Sequence, residues 1–501
     1  MEKSIIIIGG GLTGLSAGCY GQMNGYRTSV FEMHDKTGGV CTGWQRKGYT
    51  IDGAMHWLVG TNPGKAFYSF WQELGVAQGW QVVDHDQYLR VELEGGKVFT
   101  IYADIERFKE QMMELGPEDK DVIDEFIKAI CTCSRIDLPV DKPPELYNIV
   151  DMAGMVKMLP YMSFMRKWGK KSTTDFVNRF RSPVLRQALG IALASDVQPI
   201  PMLMMLMTFA WLHLKMAGYL IGGALALTGA IQRRYLGLDG ELRLKSRVEK
   251  ILVEDDKAVG VRLANGSEYR GDIVISAADG RTTIFDMLEG KYVDDKVRGF
   301  YDRPQLFPPL VYVGLGMARK FEDVPPSVAG MSFPLKEPVI IAGKEHKRLG
   351  VQVYNFDPTL APVGKTVIKV QFNTDYDYWE RLGQELERYK EEKERIADQV
   401  IARLDQRFPG LTARVAMRDV ATPLTWVRYT GNWRGSYEGW LLHNWNFTTR
   451  MGKSLPGLDN FYMAGQWVEP GGGMPAAAMS GRQVIQLICK RDKRPFVAAK
   501  P

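Results

Sequence analysis

Cysteine is scarce in this sequence. Five of the 501 residues are cysteines, and no two of them form a Cys-x-x-Cys pair. The five are Cys19, Cys41, Cys131, Cys133 and Cys489. A small, odd and scattered set argues against a disulfide framework and against a zinc site. We therefore expect no metal centre, reduced thiols and a cytoplasmic setting.

Long hydrophobic runs and an excess of one charge are also missing. No stretch reaches the roughly 18 consecutive apolar residues that a membrane-spanning helix needs, and no cationic leader precedes the apolar residues 5–8. Lys and Arg total 64 against 58 Asp and Glu, a net charge of +6, which does not predict a nucleic-acid partner. We expect a cytoplasmic protein, either in solution or peripheral on the inner face of a membrane.

The overall composition is that of a globular protein. Hydrophobic residues make up 45% of the chain and charged residues 24%, which excludes a disordered or fibrous class. A chain of 501 residues is long enough for about two to four domains with their own cores.

The first 35 residues have the pattern of one βαβ unit. The β-branched run at 5–8 predicts a buried parallel strand, and Gly9, Gly11 and Gly14 follow it and open a helix of small residues. Glu32 ends the next predicted strand. This is the dinucleotide fingerprint: the glycines allow a tight turn near pyrophosphate, and the carboxylate can accept a ribose hydroxyl. The alternative is a tight β–α turn without a ligand.

Two further glycine elements resemble those of FAD-binding proteins. Gly38 and Gly39 resemble the second glycine element of FAD-binding amine oxidases and carotenoid desaturases. The stretch 462–475, YMAGQWVEPGGGMP, resembles the closing motif of the phytoene desaturase, carotenoid isomerase and retinol saturase group. A glycine-rich turn lets backbone N–H groups approach a planar ring, and a helix after Pro475 points its positive end at the same place.

The resemblance continues through segments 218–223, 225–235, 240–244, 248–251, 273–279 and 52–56. It implies an FAD cofactor and a set of contact residues. The residues expected to bind FAD are Gly9, Gly11, Leu12, Thr13, Gly14, Glu32, Gly38, Gly39, Val248, Gly465, Gly473 and Met474. Val248 is expected to place a backbone group at the adenine.

The fold class that follows is α/β. We expect a Rossmann-like FAD-binding domain of the glutathione-reductase type, interrupted by an inserted α+β substrate domain and a helical, membrane-facing cap. The predicted segments of the FAD domain are 1–75, 216–290 and 451–501. A largely helical cap region spans 76–215, and the substrate domain spans 291–450. Two local predictions are a hairpin at Asn265-Gly266 and one long helix over 379–408.

Departures from the amine oxidases are informative. Those proteins carry Arg where this chain has His34 and Val40, so backbone groups or Lys36 are expected to neutralise the pyrophosphate. They carry an aromatic wall residue where this chain has Gly473, which predicts a wider and flatter slot. That difference favours the polyene enzymes of the superfamily.

His56 and Glu469 are the candidate catalytic residues. A flavin exchanges hydride with a carbon atom, and a polyene delocalises the resulting charge, so one modest acid or base is enough. His56 lies in the ring-proximal segment and Glu469 in the closing loop. The alternatives are a packing or hydrogen-bonded histidine and a turn-capping glutamate.

Three segments predict the substrate surface. An apolar helix over 198–221, broken by His213 and Lys215, is rich in Met, which adapts to flexible apolar ligands. Segment 155–171 combines apolar bulk, cations and aromatics, as helices at a membrane surface do. Both could instead be core helices of the cap, with lysines that snorkel. The loop 430–440 lines a substrate slot or forms an ordinary hairpin.

Together these features predict an FAD-dependent oxidoreductase that desaturates, saturates or isomerises carbon–carbon bonds of an apolar polyene, isoprenoid or lipid. The alternatives are an amine-oxidase-like flavoenzyme and a lipid-binding flavin-fold protein without turnover. No second dinucleotide fingerprint follows a strand, so the sequence favours no particular electron donor or acceptor.

Overall fold

The computed structural model describes residues 2–136, 141–149, 151, 155–193, 200–441, 450–469 and 472–501. In chain order the strands are β1 (Ser4–Ile8), β2 (Arg27–Phe31), β3 (Gly43–Arg46), β4 (Tyr49–Asp52), β5 (Leu58–Val59), β6 (Val82–Val83), β7 (Gln87–Glu92), β8 (Val98–Tyr102), β9 (Ala217–Leu220), β10 (Glu241–Arg243), β11 (Val248–Glu254), β12 (Lys257–Leu263), β13 (Glu268–Arg270), β14 (Ile273–Ser276), β15 (Leu310–Met317), β16 (Met331–Ile341), β17 (Lys344–Val353), β18 (Thr366–Asn373), β19 (Val415–Ala421) and β20 (Phe461–Met463).

The α-helices within those ranges are α1 (Leu12–Met23), α2 (Ala66–Glu73), α3 (Ile105–Leu115), α4 (Lys120–Cys133), α5 (Leu159–Lys170), α6 (Thr173–Val177), α7 (Pro183–Leu193), α8 (Met202–His213), α9 (Gly223–Gly237), α10 (Asp295–Asp302), α11 (Tyr376–Leu382), α12 (Leu386–Arg407), α13 (Pro423–Thr430) and α14 (Met474–Arg491).

A five-stranded parallel sheet of order β10-β2-β1-β14-β20 forms the Rossmann-like part of the fold. The β1 residues Ile5 to Ile8 are buried on both faces, which explains the unbroken β-branched run. All five strands fall in the segments 1–75, 216–290 and 451–501, so the sheet is built from distant parts of the chain. The predicted α/β fold with a discontinuous Rossmann-like domain is confirmed, and the membrane-facing cap stays a prediction.

A second sheet stands apart from the first. It has seven strands in the order β19-β15-β18-β17-β16-β7-β8, and α12 packs against it. Strands β7 and β8 come from the region 76–215, whereas the other five come from 291–450. The predicted cap and substrate regions therefore share one sheet, and the domain boundaries themselves stay a prediction.

Helices α3 to α8 form a layer around an aromatic core that includes Phe108, Phe126 and Phe209. Within the predicted apolar segment, α8 covers only Met202–His213. The chain then turns at Lys215, whose φ is +52°, and continues as β9. No helix in the part of the chain that is described is both long and apolar enough to cross a membrane.

The two local predictions have different outcomes. The Asn265-Gly266 hairpin is confirmed, since β12 and β13 pair antiparallel and Gly266 has φ +85°. The prediction of a single helix over 379–408 is wrong, because α11 ends at Leu382 and α12 begins at Leu386. Gly383 lies at this break and packs beneath Leu424, where a Cβ atom would lie 2.4 Å from Cδ1.

Candidate active site

A cavity of about 1960 Å³ opens at the carboxyl edge of the parallel sheet. Residues at or just after the ends of β1, β2, β14 and β20 line it, as ligand sites of open α/β sheets do. The volume exceeds the roughly 300–1,000 Å³ of an ordinary small-molecule pocket, which leaves room for a cofactor and a second ligand.

The cavity brings together nearly all the residues predicted from the sequence. Those that line it are Gly9, Gly11, Leu12, Thr13, Glu32, Gly38, Gly39, His56, Val248, Gly465, Glu469, Gly473 and Met474. Gly14 is the exception. A Cβ atom on Gly14 would lie 1.9 Å from the carbonyl oxygen of Gly9, so this glycine lets α1 pack against the end of β1.

Glu32 connects the first glycine turn to the end of β2. Its Oε2 accepts the N–H of Gly10 at 2.7 Å, and its Oε1 accepts the N–H of His34 at 2.8 Å. Burial raises the pKa of the carboxyl, while these two N–H donors oppose that shift. The carboxylate lines the cavity with acceptor capacity to spare, which suits a ribose hydroxyl.

The closing motif forms a second backbone cradle. Helix α14 begins at Met474 with Gly473 as its N-cap residue at φ +90°. The helix predicted after Pro475 therefore starts one residue before it, and Pro475 lies in its first turn. Gly465 has φ +98° and donates its N–H to Ser480 Oγ at 2.8 Å. The unpaired N–H groups of the α14 N-terminus and its dipole suit the electron-rich edge of a flavin. These residues fit FAD.

Lys36 does not contribute a charge to this cavity. Its Nζ donates to the carbonyl oxygen of Gly43 at 2.6 Å, and the side chain lines a smaller neighbouring pocket. The expectation that Lys36 neutralises a pyrophosphate is therefore wrong. Of the two predicted sources of groups that neutralise the pyrophosphate, only the backbone groups remain. Arg247, beside Val248, adds a positive charge to the cavity wall.

His56 follows a turn that Asp52 fixes. The Asp52 carboxylate accepts backbone N–H groups of Ala54 at 2.8 Å, Met55 at 2.6 Å and Ala224 at 2.7 Å. Three backbone donors hold the segment that leads from β4 to His56 in one shape. The sequence segment 52–56 is thus a rigid support for the imidazole, which lines the cavity.

Gln352 determines which nitrogen of His56 carries the proton. Its amide Nε2 lies 2.6 Å from His56 Nδ1 and donates to the carbonyl oxygen of Val328 at 2.8 Å, while Tyr354 Oη donates to Oε1 at 3.2 Å. Because a carbonyl can only accept, Nε2 must face Val328 and donate to Nδ1 as well. His56 is therefore the tautomer with its proton on Nε2.

The electrostatics agree with a neutral His56. Burial lowers the pKa of the imidazole well below its usual range, and the nearby Lys369 ammonium lowers it further. The ring therefore offers an N–H donor to the cavity and is a poor proton acceptor near neutral pH. A hydrogen-bonding role fits this geometry better than a role as base, and the catalytic assignment stays a prediction.

Glu469 lies in a cluster of charges. Its Oε2 pairs with Arg450 Nη1 at 2.8 Å and its Oε1 with Lys453 Nζ at 2.6 Å. Lys453 also pairs with Glu145 at 2.9 Å, and the N–H of Glu469 donates to the carbonyl oxygen of Gly465. These contacts favour the structural alternative for Glu469, and its catalytic role stays a prediction.

The loop 430–440 lines the cavity with Thr430, Gly431, Asn432, Tyr437 and Glu438. That placement favours the substrate-slot alternative over an ordinary hairpin. Glu438 was not predicted as a site residue. Its position in an aromatic, glycine-rich loop was visible in the sequence, but its packing against the distant Gly472 was not.

The Met-rich segments form the far end of the cavity. Met204 and Trp211 of α8 line it together with Met162 and Met165 of α5. Leu159 lines it too and is 57% exposed, so the apolar lining continues to the surface.

Comparisons with known proteins agree with this geometry. Residues 12–489 match the family described as flavin containing amine oxidoreductase. Prolycopene isomerase 1, chloroplastic, from an Oncidium hybrid cultivar is 24% identical over 96% of this chain and 82% of its own. The neurosporene-forming phytoene desaturase of Rhodobacter capsulatus is 25% identical over 99% and 95%. A putrescine oxidase variant with redesigned cofactor binding shares the fold, with a TM-score of 0.61 and 14% identity over 98% and 99%.

The chain belongs to the flavin containing amine oxidoreductase family, since the match covers almost its whole length. It is an FAD-dependent oxidoreductase.

Proposed function

We propose that this FAD-dependent oxidoreductase acts on carbon–carbon bonds of a long apolar polyene or related isoprenoid, by desaturation, saturation or flavin-assisted isomerisation. The observation that carries the proposal is the continuity of the cavity. One space of about 1960 Å³ joins the glycine cradles to the Met- and Trp-lined end between α5 and α8. The names of the relatives, prolycopene isomerase and phytoene desaturase, support the same substrate class.

The FAD contacts proposed for this chain are those that line the cavity. In this proposal Glu32 binds the ribose, the Gly9–Gly11 turn and the start of α1 receive the pyrophosphate, and the start of α14 faces the ring. Bound FAD supplies a hydride acceptor or donor at ring N5. Gly473, without a side chain, leaves the space before the ring open to a flat polyene.

The most direct test separates polyenes from amines. We expect the FAD-loaded protein to change the double-bond number or geometry of phytoene or prolycopene in detergent, detected by chromatography and absorbance. Putrescine should give no hydrogen peroxide. Peroxide from the amine and unchanged polyenes would contradict the proposal and favour an amine oxidase. Binding of polyenes without any product would favour a carrier.

We further propose that the cavity mouth rests on an anionic membrane surface, from which an apolar substrate enters. Val156, Leu159 and Met162 line the mouth and are 58%, 57% and 58% exposed. Arg166 and Lys170 follow on α5, and cations beside exposed apolar side chains suit anionic headgroups. This makes the protein peripheral on the inner face of a membrane.

Vesicle flotation tests the membrane proposal. Leu159→Gln combined with Met162→Gln should abolish co-flotation with phosphatidylserine-containing vesicles and leave FAD content unchanged. Val363→Gln removes a fully exposed apolar side chain elsewhere and serves as the matched control, which should float like the parent. Equal flotation of all three proteins, or none with the parent, would contradict the proposal.

A further inference from the structure

The carboxyl group of Glu438 lies at the edge of the backbone cradle that the closing motif forms at the start of α14. It packs over Gly472, where an added Cβ atom would lie 2.6 Å from its Cδ and 2.7 Å from its Oε2. Gly472 has φ +66° and immediately precedes Gly473, the N-cap residue of α14. The carboxyl therefore lines the cavity beside the turn that is proposed to face the ring of FAD.

The described residues around Glu438 do not compensate its charge. The titratable groups that face it are Tyr312 from β15 and Tyr437 from its own loop, both of which line the cavity. Burial raises the pKa of each phenol, and the Glu438 charge raises it further. Asp52 and Lys369 are also close to Tyr312. Within the described ranges no cation pairs with Glu438, and Gly472 itself presents only backbone.

Glu438 differs in this respect from the other two candidates. His56 is held as a neutral donor by Gln352, and Glu469 is held between Arg450 and Lys453. Burial raises the pKa of the Glu438 carboxyl to about 7. Both of its protonation states are therefore populated near neutral pH, which is the condition for efficient proton transfer in either direction.

We propose that Glu438 is the catalytic acid–base of this site, exchanging one proton with a carbon atom of the substrate; the proposal rests on the proposed function. In desaturation a CH–CH unit loses a hydride with its electron pair to oxidised FAD and a proton to the Glu438 carboxylate. The C–H electrons of the second carbon become the new double bond. The substrate is oxidised by two electrons, FAD is reduced by two, and Glu438 ends protonated. Saturation is the same exchange reversed.

The test compares wild type with Glu438→Gln, which keeps the shape of the side chain and removes its titration. Two readouts are needed on the FAD-loaded protein: the pH profile of polyene turnover, and the carboxyl stretch in difference infrared spectra across a pH titration. Glu249→Gln, an exposed change outside the cavity lining, controls for the same change in net charge. FAD content by visible absorbance confirms that each variant is loaded.

We expect wild type to show an infrared carboxyl transition and a kinetic limb both centred near pH 7, and both should vanish in Glu438→Gln. The turnover of that variant should fall about 100-fold or more. A carboxyl transition that is lost in Glu438→Gln but lies in the ordinary glutamate range would overturn the inference, as would an unchanged rate and limb in the variant. If the variant fails to load FAD, the infrared titrations of wild type and Glu438→Gln are compared without the cofactor, and that comparison decides. If wild type turns over no polyene, the proposed function fails, while the infrared transition still reports on Glu438 independently.

Discussion

Glu32 shows at the scale of one residue how a side chain can prepare a cofactor site. It joins the glycine turn after β1 to the chain after β2 through backbone N–H groups of Gly10 and His34. Because both bonds are made within the protein, the carboxylate is already oriented before a ribose arrives. Such preorganisation lowers the entropy cost of binding.

Replacing Glu32 with Gln should therefore weaken FAD binding. The amide oxygen can keep one backbone donor, but the NH2 group cannot accept the other, and a charged acceptor for the ribose is lost. We expect the dissociation constant of FAD to rise about 10- to 100-fold, the equivalent of one or two charge-assisted hydrogen bonds. Flavin fluorescence on titrating the apoprotein measures it. Glu249→Gln, on the exposed side of β11, is the matched control and should bind like the parent.

Lys369 is a second residue whose environment has measurable consequences. Its buried Nζ lies 3.2 Å from the carbonyl oxygen of Asp52, and burial lowers its pKa from the ordinary 10.5 to about 8. The folded protein therefore binds fewer protons than the unfolded chain between these pH values. A depressed lysine pKa makes its contribution to stability least favourable below about pH 8, and stability improves as pH rises towards 10.5.

Denaturant unfolding of wild type and Lys369→Met tests this dependence. Relative to the variant, the free energy of unfolding of wild type should increase by about 3 kcal/mol between pH 8 and pH 10.5. The exposed Lys97→Met replacement should show no such slope against wild type. A constant difference between wild type and Lys369→Met over this range would contradict the buried-cation interpretation.

At the scale of elements, local sequence patterns were sufficient where the structure is itself local. The strand–turn–helix of β1 and α1 and the hairpin of β12 and β13 depend on glycines and apolar residues within a few positions. The break between α11 and α12 was not predictable in this way, because Gly383 packs under Leu424, 41 residues later in the chain. The sequence on both sides of the break has the same charge-rich helical periodicity, so the pattern predicts one continuous helix.

Gly14 provides the element-scale prediction. Its missing side chain lets α1 meet the end of β1, where a Cβ atom would lie 1.9 Å from the Gly9 carbonyl oxygen. Gly14→Ala should lower the free energy of unfolding by about 3 kcal/mol or more, because backbone must move. Gly237→Ala, at the end of α9 with no heavy atom within 4 Å of the added Cβ, should be neutral or slightly stabilising. Equal melting temperatures for the two variants would contradict this account of the packing.

At the scale of the whole molecule, the site is assembled by contacts that no local pattern carries. Gln352 reaches His56 across 296 positions, and Glu438 meets the Gly472 turn through tertiary packing. The glycine motifs and Glu32 could be found from the sequence because cofactor chemistry constrains their spacing. The protonation of His56 and the packing of Glu438 against Gly472 depend on partners in other elements, so they could be seen only in the folded structure.

The cavity itself gives the whole-molecule prediction. Met204 of α8 lines its far end, so Met204→Trp should fill space that a long substrate needs, while the glycine cradles stay intact. We expect unchanged FAD content and a turnover of long polyenes reduced about 10-fold or more, the effect of filling a specificity pocket. Met207→Leu, a buried change on the same helix outside the lining, is the control. Full activity of Met204→Trp would place the substrate elsewhere.

The exchange of electrons or protons between a polyene and this FAD site is the central claim, and one anaerobic experiment tests it. The FAD-loaded protein is mixed with phytoene or prolycopene, first oxidised and then after reduction with dithionite, while the flavin and polyene bands are recorded together. The account predicts that one of the two flavin states converts the polyene, with the flavin band changing in step for a redox reaction and staying constant for isomerisation. Polyene bands that remain unchanged in both flavin states would contradict it.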